Sequence, residues 1–259
     1  MSPLWNRPTF RVHLGARVLA ACEVRGHGRR CVVARKALVA FSPGERAPAL
    51  QALREWVVPG GGASIEWVLG PSDVRYLLLP WSHELADESL RDRVASALFE
   101  QRFREDASVH AMRFAKARFG APQLAAFVAH ALVEEVAAHA REARLRLGSI
   151  APALATVWGR FGGVLAGENG VVHLVDGDRQ IAVRHEHGLP TDIALRPFDA
   201  QRDATMLGAP CDHGTRRCFS SWAPAGGAAF PAHVLMLNDG EGFDTRADVA
   251  YAFALCGVF

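Results

Sequence analysis

The sequence lacks the long apolar segments that would place a protein in a membrane. Its longest apolar stretches, Val74–Pro80 and Leu124–Val133, fall short of the roughly 18 to 20 residues that a membrane span needs. The first residues, Met1–Phe10, contain no apolar core of the kind found in signal peptides. Half of the 259 residues are apolar and 22% are charged, which excludes a disordered chain. We therefore expect a folded, cytoplasmic protein without direct membrane insertion.

The chain also has little excess charge of either sign. Its 29 lysines and arginines nearly balance 27 aspartates and glutamates, so the formal net charge is only +2. The whole chain therefore offers no electrostatic footprint for nucleic acid, and any binding to an anionic surface would have to be local. Only Lys36 and Lys116 are lysines, which leaves few candidates for a Schiff base or a phosphate-gripping lysine.

Common catalytic and metal-binding motifs are missing as well. The five cysteines include no C-x-x-C pair, which argues against a disulfide framework or a zinc ribbon. Cys211, His213 and Cys218 supply three local ligands at most, so a metal-binding module is the weakest hypothesis and we predict no metal site. Neither a G-x-S-x-G elbow nor a G-x-x-x-x-G-K-[ST] loop occurs. We predict no catalytic residue.

Apolar periodicity predicts that the chain begins with three strands and a helix. The strand candidates Phe10–Gly15, Arg17–Arg25 and Cys31–Phe41 are separated by short glycine turns, which is typical of a meander. The segment Glu45–Val57 then shows helical spacing of its leucines. A helix packed on a small sheet is expected.

The rest of the chain predicts further strands and helices, with a hairpin around Asp176-Gly177. Asp-Gly is a strong hairpin signal because the turn requires positive φ. Residues 197–232 are rich in Gly, Pro, Asp and Arg and predict loop with short elements. The predicted strands are Ser64–Leu69, Val74–Leu79, Gly170–Val175 and Gln180–Glu186, and the predicted helices are Asp87–Arg104, Leu132–Leu147 and Pro152–Phe161.

This order of elements, together with the segment Asp73–Trp81, resembles the actin-like proteins of bacterial type IV pilus and type II secretion assembly, the PilM-like and GspL-like group. In that group a strand ending in Leu-Pro leads into an inserted helix-and-strand subdomain, as Leu79-Pro80 does here. The resemblance implies an α/β fold of actin-like (ribonuclease H-like) lobes with an inserted α+β subdomain. It places the first lobe at residues 1–165, the insertion at about 82–147 and a shortened second lobe at 166–259.

The resemblance also indicates where a nucleotide would bind. Actin-like ATPases carry an aspartate in the first hairpin and a second Asp-Gly turn in the later lobe. The matching first hairpin here, His13–Arg17, contains Gly15 but no acid, whereas Asp176, Gly177 and Asp178 match the second turn. Gly226 and Gly227 are the remnant of a glycine pair for the adenosine. Without a carboxylate to position Mg²⁺, hydrolysis loses its main charge-stabilising device.

The resulting prediction is a non-catalytic scaffold of a pilus or type II secretion-like assembly platform, at the cytoplasmic face of the inner membrane. The resemblance implies two partners, the cytoplasmic tail of a bitopic inner-membrane protein and the assembly motor ATPase. Because the first hairpin lacks an acid, we predict no cofactor. Trp81, Phe99 and Phe114 are the predicted partner-binding residues. The alternative is a nucleotide-binding actin-like ATPase that uses ATP and Mg²⁺ and has displaced its phosphate-site residues, with Asp176 or Asp178 as the carboxylate.

Overall fold

A computed structural model describes residues 7–26, 28–58, 62–199, 203, 214–221 and 234–259. In these residues the backbone forms three separate sheets, and the first of them has five strands in the order β3-β2-β1-β4-β8. The strands of this sheet are β1 (Thr9–Leu14), β2 (Val18–Arg25), β3 (Val32–Ala40), β4 (Ser64–Leu69) and β8 (Arg146–Pro152). The first three form the predicted antiparallel meander, β4 pairs with β1 in parallel, and β8 pairs with β4 in parallel.

The second sheet repeats the plan of the first four strands of the first sheet. Its order is β11-β10-β9-β12, again a meander whose first strand, β9, is joined by a parallel strand on its other side. Its strands are β9 (Asn169–Asp176), β10 (Arg179–Glu186), β11 (Leu189–Pro197) and β12 (Thr215–Ser220). The first hairpin turns of the two meanders are therefore equivalent positions in the two sheets.

A third sheet, in the order β5-β7-β6, is antiparallel and has a core of its own. Its strands are β5 (Val74–Leu79), β6 (His110–Phe114) and β7 (Gln123–Ala129). Helix α2 (Glu88–Phe103) covers it, capped at its start by the Asp87 carboxylate, which accepts the Leu90 N–H. Leu79, Phe99 and Phe127 are fully buried between helix and sheet.

Four other helices bury their apolar faces in one large core shared by the first two sheets. Valines and leucines at helical spacing, such as Leu132 and Val136, turn one face of each helix inward. The four helices are α1 (Ala47–Trp56), α3 (His130–Glu142), α4 (Ala153–Leu165) and α5 (Ala252–Leu255). No helix in the described residues combines the length and apolarity required to cross a bilayer.

The helix predicted over Leu132–Leu147 is wrong at its end, since α3 stops at Glu142 and the chain continues into strand β8. Arg144 adopts a left-handed conformation with φ 56°, which turns the backbone out of the helix. Strand β12 is one of the short elements predicted within residues 197–232. The segment Leu189–Pro197 forms strand β11, which was not predicted from the sequence.

Candidate functional site: a closed cleft and an open groove

The two equivalent hairpin turns meet between the first and second sheets, and we call the space between them the cleft. The β1–β2 turn contributes Gly15 and Arg17, and the β9–β10 turn contributes Asp176, Gly177 and Asp178. The Arg17 Nη2 donates to the Asp178 Oδ2 at 3.2 Å across the mouth of the cleft. The sequence positions that the resemblance assigned to the two phosphate-binding turns are thus brought together by the fold.

The Asp176 carboxylate is packed directly against bare glycine backbone. A Cβ added to Gly15 would lie 2.8 Å from the Asp176 Oδ1, and one added to Gly70 would lie 2.6 Å from its Oδ2. Heavy atoms do not approach so closely, so only glycine fits at either position without a shift. The same contact leaves no room for a phosphate between Asp176 and the first hairpin.

His13 fills the inner end of the cleft. Its Nε2 lies 3.6 Å from the Asp176 Oδ2, both side chains are buried, and neither of these two atoms has a hydrogen-bond partner among the described residues. Burial lowers the pKa of His13, although the Asp176 charge opposes this effect. The imidazole is therefore neutral at neutral pH, and it stacks on Phe253 with ring centroids 4.8 Å apart.

Two further groups that the sequence analysis did not select complete the cleft. Ser221 Oγ donates to the Asp176 Oδ1 at 3.1 Å. Asp73, in the β4–β5 turn, pairs with Arg46, and burial followed by the charge of Asp176 raises the pKa of Asp73 to about 6, against the lowering effect of Arg46. In the sequence, only the turn residues Gly70 and Pro71 mark the position of Asp73. They predict a turn, but they do not indicate that it faces the cleft.

The space that the described residues leave in the cleft does not fit a nucleotide bound through Mg²⁺. The cavity there measures about 260 Å³ and is lined by His13, Arg17, Asp176, Gly177 and Ser221 together with apolar groups. Its arginine is engaged by Asp178, and its buried carboxylate has a neutral histidine and two glycines as neighbours. A hydrated metal needs carboxylate oxygens that point into free space.

The metal-binding hypothesis finds little support in the part of the chain that can be described. Cys218 is buried on β12, and burial raises the pKa of its thiol to about 12, which keeps it protonated. Cys211 and His213 lie outside the described residues, as do Gly226 and Gly227. Among the residues that are described, no group of three or more His, Cys, Asp or Glu side chains is arranged to hold a metal ion.

The three predicted partner-binding aromatics occupy different environments. Phe99 is fully buried and stacks on Phe127 at 4.3 Å between ring centroids, so the prediction that it binds a partner is wrong. Phe114 is half-buried beneath the Arg91 guanidinium, which lies 4.4 Å from its ring centroid. Trp81 is 39% exposed and packs against Phe119, a residue that the sequence analysis did not select.

A groove separates the edges of the first and third sheets, and we call it the edge groove. Strand β8 ends the five-stranded sheet and β6 ends the three-stranded sheet, so within the described residues each has one unpaired edge. The groove between them has a volume of about 320 Å³. It is lined by Leu69, Ala111, Arg113, Ala126, Val128, Val133, Leu147, Gly148, Ser149, Ile150 and Pro152.

No family model matches the chain, and no curated protein matches it at sequence level. Several solved structures, in contrast, are similar to the chain in fold. The cytoplasmic domain of EpsL, an inner-membrane component of the type II secretion system of Vibrio cholerae, superposes with a TM-score of 0.58 at 12% identity over 96% of this chain and 94% of that one. PilM in the PilM-PilN type IV pilus biogenesis complex gives a TM-score of 0.55 at 15% identity, over 77% of this chain and 64% of that one.

A third similar structure is a protein of unknown function with an actin-like ATPase fold from Bacteroides thetaiotaomicron. Its TM-score is 0.51 at 10% identity, over 78% of this chain and 76% of that one. The duplicated meander with a parallel fourth strand and the meeting of its two first hairpins agree with these matches. The chain therefore has the actin-like fold, with a third, inserted sheet, and its structural neighbours include the EpsL cytoplasmic domain and PilM.

Proposed function

We propose that the protein is a non-catalytic scaffold of a pilus or type II secretion-like assembly platform, held at the cytoplasmic face of the inner membrane by a bitopic membrane protein. The observation that carries the proposal is the edge groove, a mostly apolar channel lined in part by β6 and β8, each of which is the last strand of its sheet in the described residues. The similarity to EpsL and PilM, structures from two such assembly systems, supports the same role.

The edge groove suits an extended peptide. An unpaired strand edge offers N–H and C=O groups to a peptide that adds as a further strand, and neighbouring pockets take alternate side chains. On β8 the residues Arg146–Ser149 are exposed, and Leu147 is 37% exposed although it is apolar. Arg113 is the only charged residue that lines the groove. The occupant we propose is an extended cytoplasmic tail with apolar side chains and a carboxylate opposite Arg113.

The packing of the cleft argues against the ATPase alternative. The carboxylate of Asp176, in the β9–β10 turn, is enclosed by Gly15, Gly70 and His13. Asp178, in the same turn, is paired with Arg17. In actin-like ATPases these turns must instead grip a charged triphosphate and its metal. The assembly motor ATPase remains a proposed second partner, to which we assign no surface.

Tail binding can be tested with one variant in the groove and one outside it. Fluorescently labelled peptides, each matching the cytoplasmic tail of a bitopic pilus or secretion assembly protein from the same genome, are titrated with the whole chain and followed by anisotropy. Leu147→Asp places a charge in the groove, whereas Leu195→Asp places one on β11 at a similar exposure of 40%. We expect one tail to bind, and Leu147→Asp to weaken it at least tenfold.

The control variant should bind the tail as the unmodified chain does. Both variants should keep their thermal midpoints within a few degrees, because both positions are at the surface. If no such tail binds, or if the two variants weaken binding equally, the assignment of the edge groove to a tail is wrong.

A further inference from the structure

An exposed aromatic cluster lies at one end of the third sheet, formed by Trp81, His83 and Phe119; we call it the aromatic tip. Phe119 is 84% exposed, the highest value among the large apolar side chains described. Its ring centroid lies 4.9 Å from that of Trp81 and 5.7 Å from that of His83. Gly120 follows with φ 74° and open space around it, so the backbone turns sharply and presents Phe119 outward.

The loop that carries Phe119 has charges of one sign, whereas Glu84, next to His83 in the chain, is an exposed acid. Lys116 and Arg118 are exposed in the loop between β6 and β7, and Arg113 precedes them at the end of β6. Residues 113–123 contain no acid. A shallow depression of about 250 Å³ between Trp81 and the loop is lined by one charged residue, Arg118, and by no carboxylate. Asp87, an acid close by in sequence, is engaged in capping α2.

The backbone of this loop is already hydrogen-bonded within itself. The Ala115 N–H donates to the Leu124 carbonyl at 2.8 Å, and the Ala121 N–H donates to the Arg118 carbonyl at 3.2 Å. Gln123 Nε2 donates to the Ala115 carbonyl at 2.7 Å. A peptide that adds by strand pairing therefore gains little here, in contrast to the edge groove. A lipid surface needs no main-chain pairing and is recognised by exposed aromatic rings flanked by basic groups.

We infer that the aromatic tip, with Lys116 and Arg118, contacts an anionic lipid bilayer directly, placing Phe119 and Trp81 at the headgroup level and the two cations against lipid phosphates. Aromatic rings favour that level because one part of it is apolar and another polar. The contact is interfacial and requires no spanning segment. It rests on the aromatic tip and its two cations, so it holds whether or not the edge groove binds a tail.

The experiment is flotation of the purified whole chain with vesicles. One set contains phosphatidylglycerol and phosphatidylethanolamine, and a second contains only zwitterionic phosphatidylcholine. Phe119→Ser tests the ring, and the double variant Lys116→Glu with Arg118→Glu tests the charges. Val58→Ser and Arg93→Glu are matched controls, because Val58 is 63% exposed and Arg93 is exposed on α2.

We expect the chain to float with anionic vesicles and not with zwitterionic ones, and to detach as salt is raised from 50 to about 500 mM, since screening weakens the attraction. Loss of each basic residue should weaken binding roughly fivefold, and Phe119→Ser should reduce the bound fraction at least as much, with both controls unchanged. Absence of flotation, or equal loss in the controls, would overturn the inference. The inference would also be overturned if the chain bound no lipid and Phe119→Ser instead abolished self-association in gel filtration or binding to single-stranded RNA.

Discussion

The His13 imidazole and the Asp176 carboxylate face each other at 3.6 Å where the first and second sheets meet, and both are buried. Because burial lowers the pKa of His13, the ring brings no positive charge to the cleft. Two nearby arginines, Arg17 and Arg46, are each paired with an aspartate. Among the described residues, a polyphosphate entering the cleft would meet the Asp176 carboxylate while the arginines Arg17 and Arg46 are already paired.

We therefore expect no measurable ATP hydrolysis. The whole chain with Mg²⁺ and ATP should release phosphate no faster than a buffer blank, because Asp176 is enclosed by Gly15 and Gly70 and Asp178 is paired with Arg17. A malachite-green assay with Asp176→Asn as the matched variant makes the test specific. Turnover that the unmodified chain shows and Asp176→Asn lacks would contradict the prediction and revive the ATPase alternative.

Gly15→Ala should destabilise the fold, because the new methyl group would meet the Asp176 carboxylate at 2.8 Å and the His13 ring at 3.1 Å. Overpacking of this kind costs about 1–3 kcal/mol, measurable as a lower midpoint in urea. Gly159→Ala is the matched control, since a Cβ there has open space within α4 and should stabilise by about 0.5–1 kcal/mol.

The contact with Asp176 can be isolated by a double-mutant cycle. In an Asp176→Ala background, Gly15→Ala should lose most of its cost, because the atoms it overlaps are side-chain atoms and most belong to Asp176. Additive effects of the two substitutions would show that the carboxylate is not packed against Gly15.

Stability should fall on mild acidification because of His139. This buried ring contacts Trp67, and burial followed by the charge of Arg54 lowers its pKa to about 4, with Glu142 opposing. Below pH 6.5 the unfolded chain takes up a proton at His139 that the folded chain does not, so stability is lost as pH falls from about 7 towards 4. This one group should cost about 2 kcal/mol between pH 7 and pH 5.

The measurement is urea unfolding at several pH values for the unmodified chain and for His139→Phe. Asp73 works in the opposite direction, since its raised pKa lets the folded state hold a proton between about pH 4 and 6. The difference between the two chains removes this and all other shared groups. A pH dependence that His139→Phe leaves unchanged would show that the ring titrates normally.

Phe99→Ala should unfold the third sheet selectively. Phe99 belongs to a core separate from the large one, so its loss should cost about 3–5 kcal/mol and speed hydrogen exchange in α2, β6 and β7. Trp81→Ala, at a half-exposed position, is the comparison and should change stability far less. Uniform loss of protection throughout the chain would mean that the two cores unfold together.

Local chemistry made the hairpins and most helices predictable from sequence. Asp176-Gly177 encodes its own turn, with Gly177 at φ 58°, and the leucines of α1 encode its buried face. Strand β8 was missed because its first four residues are exposed and its register on β4 contains a bulge, so neither continuous apolarity nor strict alternation marks it. The resemblance named the cleft turns, but no local pattern indicates that Gly15 faces Asp176 across 160 residues.

The repeated plan of the two main sheets was also invisible in the sequence. It is a repeat of strand order and direction, and the side chains that the two sheets contribute to their shared core differ. Phe99 shows a second limit of sequence-based prediction. Aromatic character and helical position alone do not distinguish a ring in the core from a ring that binds a partner. The domain boundaries proposed from sequence, at 165 and at about 82–147, remain predictions.

The parallel pairing of β1, β4 and β8 fixes an order of events during synthesis of the chain. Strand β1 ends at residue 14, but its parallel partner β4 is complete only at residue 69, and β8, which pairs with β4, only at residue 152. The whole of the third sheet and α2 lies between β4 and β8 in the sequence and has its own core. That unit can fold while the far edge of β4 is still unpaired. The first sheet therefore gains its last strand, β8, only after the third sheet has been synthesised.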